Sequence, residues 1–381
     1  MYMAEQETLR CLEPDYAADF CCDGQRCGAA CCRRHWGIYV DEETYGRYQS
    51  LPPGDREWVL ANIEKAPPTD ELCQGPLYHG RLRFGQAGSC LFLGDDELCS
   101  LQRRLGESYL GATCALYPRH IVRIGPYLVK SLSLSCPVAA ELAILREDVP
   151  RLVEGELSPE RRIGWRQTAC GPGEEGVAEA FMLLQLMSWR LLSCPVLPLP
   201  ERLRQYLFYL DEADAAVSEG DIEALQHLAA RSEQAGELAR DWLKHGNPRE
   251  GQLLPPEALG SLHAALAPSE SRSPHGADIH FQPRPCRLPD RERLLENYLL
   301  AELYTGLYPC RLGGTLRHNG EAVYALAALA EEAINEAWAS GQAARVLAAC
   351  VRLSAFAGHD QDWLQALSDW VQESLADWGI R

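Results

Sequence analysis

The sequence predicts a mainly α-helical protein, with a metal-organised, cysteine-rich N-terminal module that carries a small β-hairpin and is followed by a helical domain. Three observations lead there. Eleven of the sixteen cysteines lie before residue 137. Past that region apolar residues return every three or four positions, the period of a helix with one buried face. Between the two, HIVRIGPYLVKSLSLS at 120–135 alternates about Gly125 and Pro126, as a hairpin does.

In chain order, GDREWVLANIEKA at 54–66 has helical spacing, and the hairpin follows it. VAEAFMLLQLMSWRLL (177–192), ERLRQYLFYLDEADAAV (201–217) and DIEALQHLAARSEQAGELARDWLKH (221–245) each read as helices. The same period runs through RERLLENYLLAELYTGLY (291–308), EAVYALAALAEEAINEAWASG (321–341) and WLQALSDWVQESLADW (363–378). Residues 246–290 break it. They are rich in Pro, Ser and Gly, contain PSESRSPHG, and read as a linker or mobile loop. A chain of 381 residues exceeds what one core usually supports. The expected division is a cysteine-rich metal or iron-sulfur domain over 1–150, a helical domain over 151–245, the linker over 246–290, and a C-terminal helical region over 291–381.

With 46% apolar and 24% charged residues, the composition is that of a globular chain rather than a disordered one. The start, MYMAEQETLRCLEPDYAADF, is acidic and lacks the apolar core of a signal peptide, and no stretch of roughly eighteen uncharged apolar residues occurs. A cytoplasmic location without membrane partners is therefore expected. A net charge of −18 argues against a nucleic-acid backbone as partner. In a reducing compartment clustered cysteines read as metal ligands or redox groups before disulfides.

FCCDGQRCGAACC, Phe20 to Cys32, is the densest cluster. Cys22, Cys27, Cys31 and Cys32 sit in it among polar and glycine residues, where cysteine has no packing role. Cys90 and Cys99 in GSCLFLGDDELCSLQ, Cys114 in TCALYPR and Cys136 in SLSLSCP add a second set from separate loops. Eight thiolates exceed one four-ligand site, so either two centres exist or some cysteines play a supporting part. Tetrahedral thiolate coordination suits zinc and iron-sulfur clusters alike. Cys11 and Cys73 stand apart, and the isolated Cys170, Cys194, Cys286, Cys310 and Cys350 fit ordinary packing. A radical S-adenosylmethionine motif is not complete: Cys27-x3-Cys31 lacks its third cysteine. GPGEEG at 171–176 spells a G-x-G-x-x-G but follows no convincing strand, and it reads as a plain helix entry, which leaves the cofactor-binding residues unassigned.

The run Phe20-x-Cys22-x4-Cys27-x3-Cys31-Cys32, with Ile38-Tyr39-Val40-Asp41 and Thr44-Tyr45 behind it, resembles the opening of flagellin lysine-N-methylases. GSCLFL, LCSLQ, LGESYLGATC from Leu105 to Cys114, Tyr117-Pro118-Arg119 and SLSLSCP are similar to that family's next blocks in order and spacing. A broader group of zinc- or iron-chelating cysteine-cluster proteins shares only the abbreviated F-x-C…C-C and C-x-F-L…C-S elements. LENYL at Leu295–Leu299 with Tyr308-Pro309, and the position of His359, extend the likeness over most of the chain. Cys21 is an addition to the pattern, and Tyr308 stands where the family more often has Phe.

The resemblance implies transfer of methyl groups from S-adenosylmethionine to lysines of flagellin, by an enzyme holding a 4Fe-4S iron-sulfur cluster on these cysteines. An amine must lose its proton before it attacks a sulfonium methyl, so a proton acceptor is required. Tyr298, Glu296 and His359 are the catalytic candidates by position and residue type. A reading of another class stays open: a non-catalytic zinc- or iron-binding or electron-transfer module joined to a helical protein-interaction domain.

Overall fold

A computed structural model describes residues 10–33, 37–64, 78–85, 88–155, 166–167, 175–245, 253–267, 281–312 and 314–374. The protein is mainly helical, with a small N-terminal β component.

The N-terminal part holds two sheets. The larger has the strand order β7-β1-β6-β5-β8, built from β1 (Arg10–Pro14), β5 (Arg119–Ile124), β6 (Tyr127–Leu132), β7 (Leu152–Gly155) and β8 (Arg166–Gln167). Its centre is the hairpin foreseen around Gly125: β5 and β6 are antiparallel, with Val122 opposite Val129. Gly125 adopts φ +56°, and a Cβ there would lie 2.7 Å from that of Ala178. Both the left-handed turn and the closeness of the next layer exclude a side chain. β1 joins β6 in parallel and β7 antiparallel, pairings between distant segments that no local pattern announces.

The smaller sheet sets β4 (Tyr78–Leu82) between β2 (Tyr39–Asp41) and β3 (Ile63–Glu64), antiparallel to both. The helix expected over 54–66 is shorter, because α2 (Pro53–Leu60) stops where Ile63 turns to pair with Leu82. Before it, α1 (Glu42–Gln49) starts on Asp41, whose carboxylate accepts the Thr44 amide at 2.8 Å and the Thr44 hydroxyl at 2.7 Å. The short helices α3 (Ser100–Leu105) and α5 (Pro137–Ile144) start directly after Cys99 and Cys136, and α4 (Ala112–Leu116) carries Cys114.

The remaining helices confirm the period reading, with corrections at their ends. α6 (Glu175–Leu192) and α7 (Leu199–Glu219) match their predicted stretches closely. The stretch 221–245 divides at Glu233 and Gln234 into α8 (Ile222–Ser232) and α9 (Ala235–His245). The presumed linker contains α10 (Pro256–Ala265), which buries Ala258, Leu259 and Leu262; its apolar face is too short to stand out against the surrounding Pro and Ser. α11 (Arg291–Thr305) is as expected. α12 (Leu316–Trp338) starts earlier, because Thr315 caps it and Asp214 accepts the amides of Leu316 and Arg317 at 2.7 and 2.8 Å. α13 (Ala343–His359) lies in a run the sequence reading left unassigned, and α14 (Gln361–Ser374) closes the described chain.

Two hydrophobic cores matter for the site. The main one joins the hairpin residues Val122, Ile124, Val129 and Leu132 to α5, α6, α7, α11, α12 and α13. The second is small, centred on Val40, Tyr48, Val59, Phe92 and Leu101 beneath the three-stranded sheet. The cysteines lie on both.

Candidate metal centre

Cys27 lies in the turn between Gly24 and Ala29, where its amide donates to the Asp23 carbonyl at 3.3 Å and the Ala29 amide to the Gly24 carbonyl at 2.8 Å. The turn is held down by Arg26, whose guanidinium grips both carboxylate oxygens of Glu141 on α5 at 2.7 and 2.6 Å. Both contacts come from a single nitrogen, Nη2, which makes this a charge-assisted bond shared between the two oxygens. Cys136 immediately precedes α5, and it is buried with Cys27 in the main core. Upstream, Phe20 is clasped by Arg119 of β5, which stacks on its ring at 4.9 Å and donates to its carbonyl at 3.2 Å. Cys21 and Cys22 follow directly.

Cys90 belongs to the second core, and Cys32 and Cys99 pack against it. The Cys90 amide donates to the Cys32 carbonyl at 2.7 Å, which ties the first motif to the second. Residues 90–99 then fold back on themselves: Leu93 bridges to Cys99, and the Ser100 amide reaches the Phe92 carbonyl at 2.7 Å. Cys114 comes in on α4, which rests against β2. Cys114 itself is exposed.

All eight predicted thiols share one electrostatic neighbourhood, and Cys31 is its hub. Burial pushes the Cys22 thiol up to about 11, with the charges of Cys31 and Cys27 adding to it. Burial likewise raises Cys27, Cys90, Cys99, Cys114 and Cys136, each with Cys31 among the neighbours that raise it further. Cys32 is raised as well, first by its hydrogen bond with Cys31, whose sulfur stands 4.0 Å away, and then by burial. Crowded thiols that repel each other's thiolates are what a bound cation relieves. Backbone amides also favour several of the thiolates: Ala30 and Ala29 at Cys27, Phe92 at Cys90, Gln102 and Leu101 at Cys99, Ala139 and Val138 at Cys136. Amide dipoles directed at sulfur are a feature of thiolate-metal sites. The donor set thus has the chemistry of a zinc or iron-sulfur ligand shell. The side chains converge without closing one, for among the described residues no three Cys, His, Asp or Glu groups are arranged to hold an ion.

The other cysteines separate from this group. Cys11 is buried in a small cluster with Ile121 and Leu128, Cys194 against Leu197 and Ala239, and Cys350 in the main core. Cys286 and Cys310 are exposed, which corrects the expectation that they pack. Cys73, Cys170 and most of GPGEEG lie outside the described residues.

The three catalytic candidates have separate settings. Glu296 is 2% exposed, and its carboxylate is taken by Arg202 of α7 and by Arg293 at 2.5 Å. Tyr298 is fully buried with its hydroxyl unsatisfied. It sits beside Ser354, whose own proton goes to Glu302. His359, at the exposed end of α13, meets the Ser135 hydroxyl at 3.0 Å, one residue before Cys136. The Ser135 hydroxyl is also 2.7 Å from that of Ser133 and 3.1 Å from that of Tyr117. Sequence reasoning missed Glu302, which is buried with the unsatisfied Tyr16 and Tyr308 hydroxyls in its surroundings. A glutamate inside the apolar run LLAELY was the available signal.

Part of the sequence is similar to curated proteins. The chain is 31% identical over 127 residues to the flagellar biosynthetic protein FliU of Salmonella muenchen, a match covering 33% of this chain and 71% of that protein. The chain belongs to the FliU family. It is also 28% identical over 146 residues to proteins named lysine-N-methylase from Salmonella choleraesuis and Salmonella typhimurium. Those matches cover 37% of the chain and 34% of either relative, so this FliU-family member spans about a third of the lysine-N-methylases it matches. No family model matches the chain, and no solved structure does. No helix among the described residues is long and apolar enough to cross a membrane.

Proposed function

We propose that this FliU-family chain is a lysine N-methyltransferase that moves methyl groups from S-adenosylmethionine to flagellin lysines and carries an iron-sulfur cluster on its N-terminal cysteines. The observation that carries the reading is the likeness to a flagellar protein and to lysine-N-methylases, in a chain whose eight predicted thiols share one neighbourhood. A 4Fe-4S cluster needs four cysteine thiolates, and the amides beside Cys27, Cys90, Cys99 and Cys136 suit such ligands. Bound there, the cluster supplies a rigid, charged centre that orders loops with little secondary structure of their own.

S-adenosylmethionine supplies an electrophilic methyl on a sulfonium. A lysine amine takes it only after losing its proton, so the protein's task is to desolvate the amine and accept that proton. Of the three candidates, Glu296 is engaged by two arginines and Tyr298 is sealed from solvent, whereas His359 is exposed and stands next to the segment of Cys136. We assign His359 the role of proton acceptor. A cytoplasmic setting, where flagellin is met before export, fits this chemistry.

Anaerobic isolation tests the cluster, and equilibrium dialysis with labelled S-adenosylmethionine tests the donor. The expected protein is brown, with a broad shoulder at roughly 400 nm, carries iron and sulfide, and retains the donor. Colourless protein with stoichiometric zinc refutes the cluster. Protein that binds flagellin and never the donor replaces the enzyme with a metal-binding interaction module.

A further inference from the structure

We propose that Ser135 is the residue that positions His359 for proton transfer, by accepting the hydrogen of Nε2 and so placing the ring's lone pair on Nδ1. This rests on the proton-accepting role given to His359 above and refines it.

His359 is held at two levels. It is the last residue of α13, and the backbone around it is pinned: the Arg311 guanidinium donates to the Ala357 carbonyl at 2.7 Å, and the Asp360 amide to the Phe356 carbonyl at 3.0 Å. Asp360 then opens α14, its carboxylate accepting the Trp363 amide at 3.0 Å. The imidazole itself is exposed, and exposed side chains change rotamer on the picosecond-to-nanosecond scale unless a partner holds them. Ser135 supplies the hold, its hydroxyl 3.0 Å from Nε2. This serine is fully buried in the connection from β6 to α5, where the Ser133 amide donates to the Pro118 carbonyl at 2.8 Å and the Cys136 amide to the Ser133 carbonyl at 3.1 Å. The anchor is therefore part of the fold and not a second mobile side chain.

The tautomer follows from counting donors and acceptors. A hydroxyl offers one proton and two lone pairs, and a neutral imidazole one N–H and one lone pair. Ser135 meets the Ser133 hydroxyl at 2.7 Å, His359 at 3.0 Å and the Tyr117 hydroxyl at 3.1 Å, so one of the three accepts its proton and the other two donate to it. Ser133, the nearest, accepts. Were the proton given to Nε2 instead, the imidazole hydrogen would sit on Nδ1, and neither nitrogen could receive another while that bond lasted. With Nε2–H directed at Ser135, the bond survives the reaction, because imidazolium keeps the same N–H. The lysine ammonium loses its N–H bond, an Nδ1–H bond forms, and the freed amine pair attacks the methyl carbon as the C–S pair returns to sulfur.

A double-variant cycle on the anaerobically prepared full chain tests the assignment. Ser135→Ala should lower kcat for methyl transfer roughly 10- to 100-fold, the scale of one lost hydrogen bond to a ring that becomes charged, with KM for flagellin and metal content unchanged. Once His359→Asn is in place, Ser135→Ala should cost nothing further. A serine needed only for structure would add its own loss to that of His359→Asn, and such additivity overturns the proposal, as does an unchanged kcat in Ser135→Ala. Nitrogen-15 NMR of histidine-labelled wild type, with the His359 signal assigned by its loss in His359→Asn, decides the matter if Ser135→Ala fails to fold. Neutral His359 protonated on Nε2 is the expected result, and protonation on Nδ1 overturns the proposal. Undiminished turnover in His359→Asn removes the proton-accepting role itself, and the part given to Ser135 falls with it.

Discussion

Cys27, Cys31 and Cys350 test the proposed division of ligand from packing cysteines at the level of single side chains. Cys27→Ser and Cys31→Ser are each expected to lower bound metal and thermal stability together, because metal binding is coupled to the folding of such loops. Cys350→Ser, within the main core, should leave metal content unchanged. Equal metal loss in all three, measured by elemental analysis, would show that the two classes had been divided wrongly. Glu302 gives a pH signature: burial raises its carboxyl above the usual range against the opposing influence of Ser354 and Arg311. A raised folded-state value means that its stability contribution is complete below the unfolded value and is lost as pH rises through the folded one. Glu302→Gln should therefore match wild type in acid and become relatively more stable as pH rises past the unfolded glutamate range, read from denaturant midpoints across pH. A constant difference at all pH values would contradict the burial account. His359→Asn should cut methyl transfer by roughly 10²- to 10⁴-fold with flagellin binding retained, the span usual for a lost acid-base group. Undiminished turnover would remove His359 from the reaction. The cysteine run from Cys22 to Cys32 stood out because it is local in sequence, whereas Glu302 and the Arg26–Glu141 clasp depend on partners far along the chain.

Long helices with one apolar face were legible for the same reason, since their period is written in consecutive residues. α6 and α7 came out nearly to the residue. α13 did not, because its alanine-rich run carries few large side chains to mark a face. The five-stranded sheet was visible only as its central hairpin, for β1, β7 and β8 find partners through the tertiary fold. Between elements the strongest device is Arg202 on α7, 3% exposed, which donates to the carbonyls of Leu192 and Leu197 at 3.0 and 2.6 Å and pairs with Glu296 of α11. Glu296→Ala leaves that buried guanidinium with only the exposed Glu292, 3.9 Å away, as countercharge, and a cost of up to about 3–5 kcal/mol is expected in equilibrium unfolding. A loss under about 1 kcal/mol would mean that water or Arg293 rearranges to satisfy the site.

For the molecule as a whole, the main core takes in Cys27 and Cys136, and the second core takes in Cys90 with Cys32 and Cys99 against it. Spacing could list these thiols but not place them, since their surroundings are decided by how the turn at Gly24–Ala29, the 90–99 loop, α4 and α5 pack. The function proposed for this chain is methyl transfer to lysine. Its most direct test is intact-mass and peptide mass spectrometry of unmethylated flagellin from the same host, incubated with S-adenosylmethionine and the anaerobically prepared full chain. Increments of roughly 14 daltons confined to lysines, and lost with Cys27→Ser, are the predicted result; arginine stays protonated and is a poor nucleophile. Flagellin of unchanged mass, in the presence of metal-loaded protein that binds it, would contradict the claim.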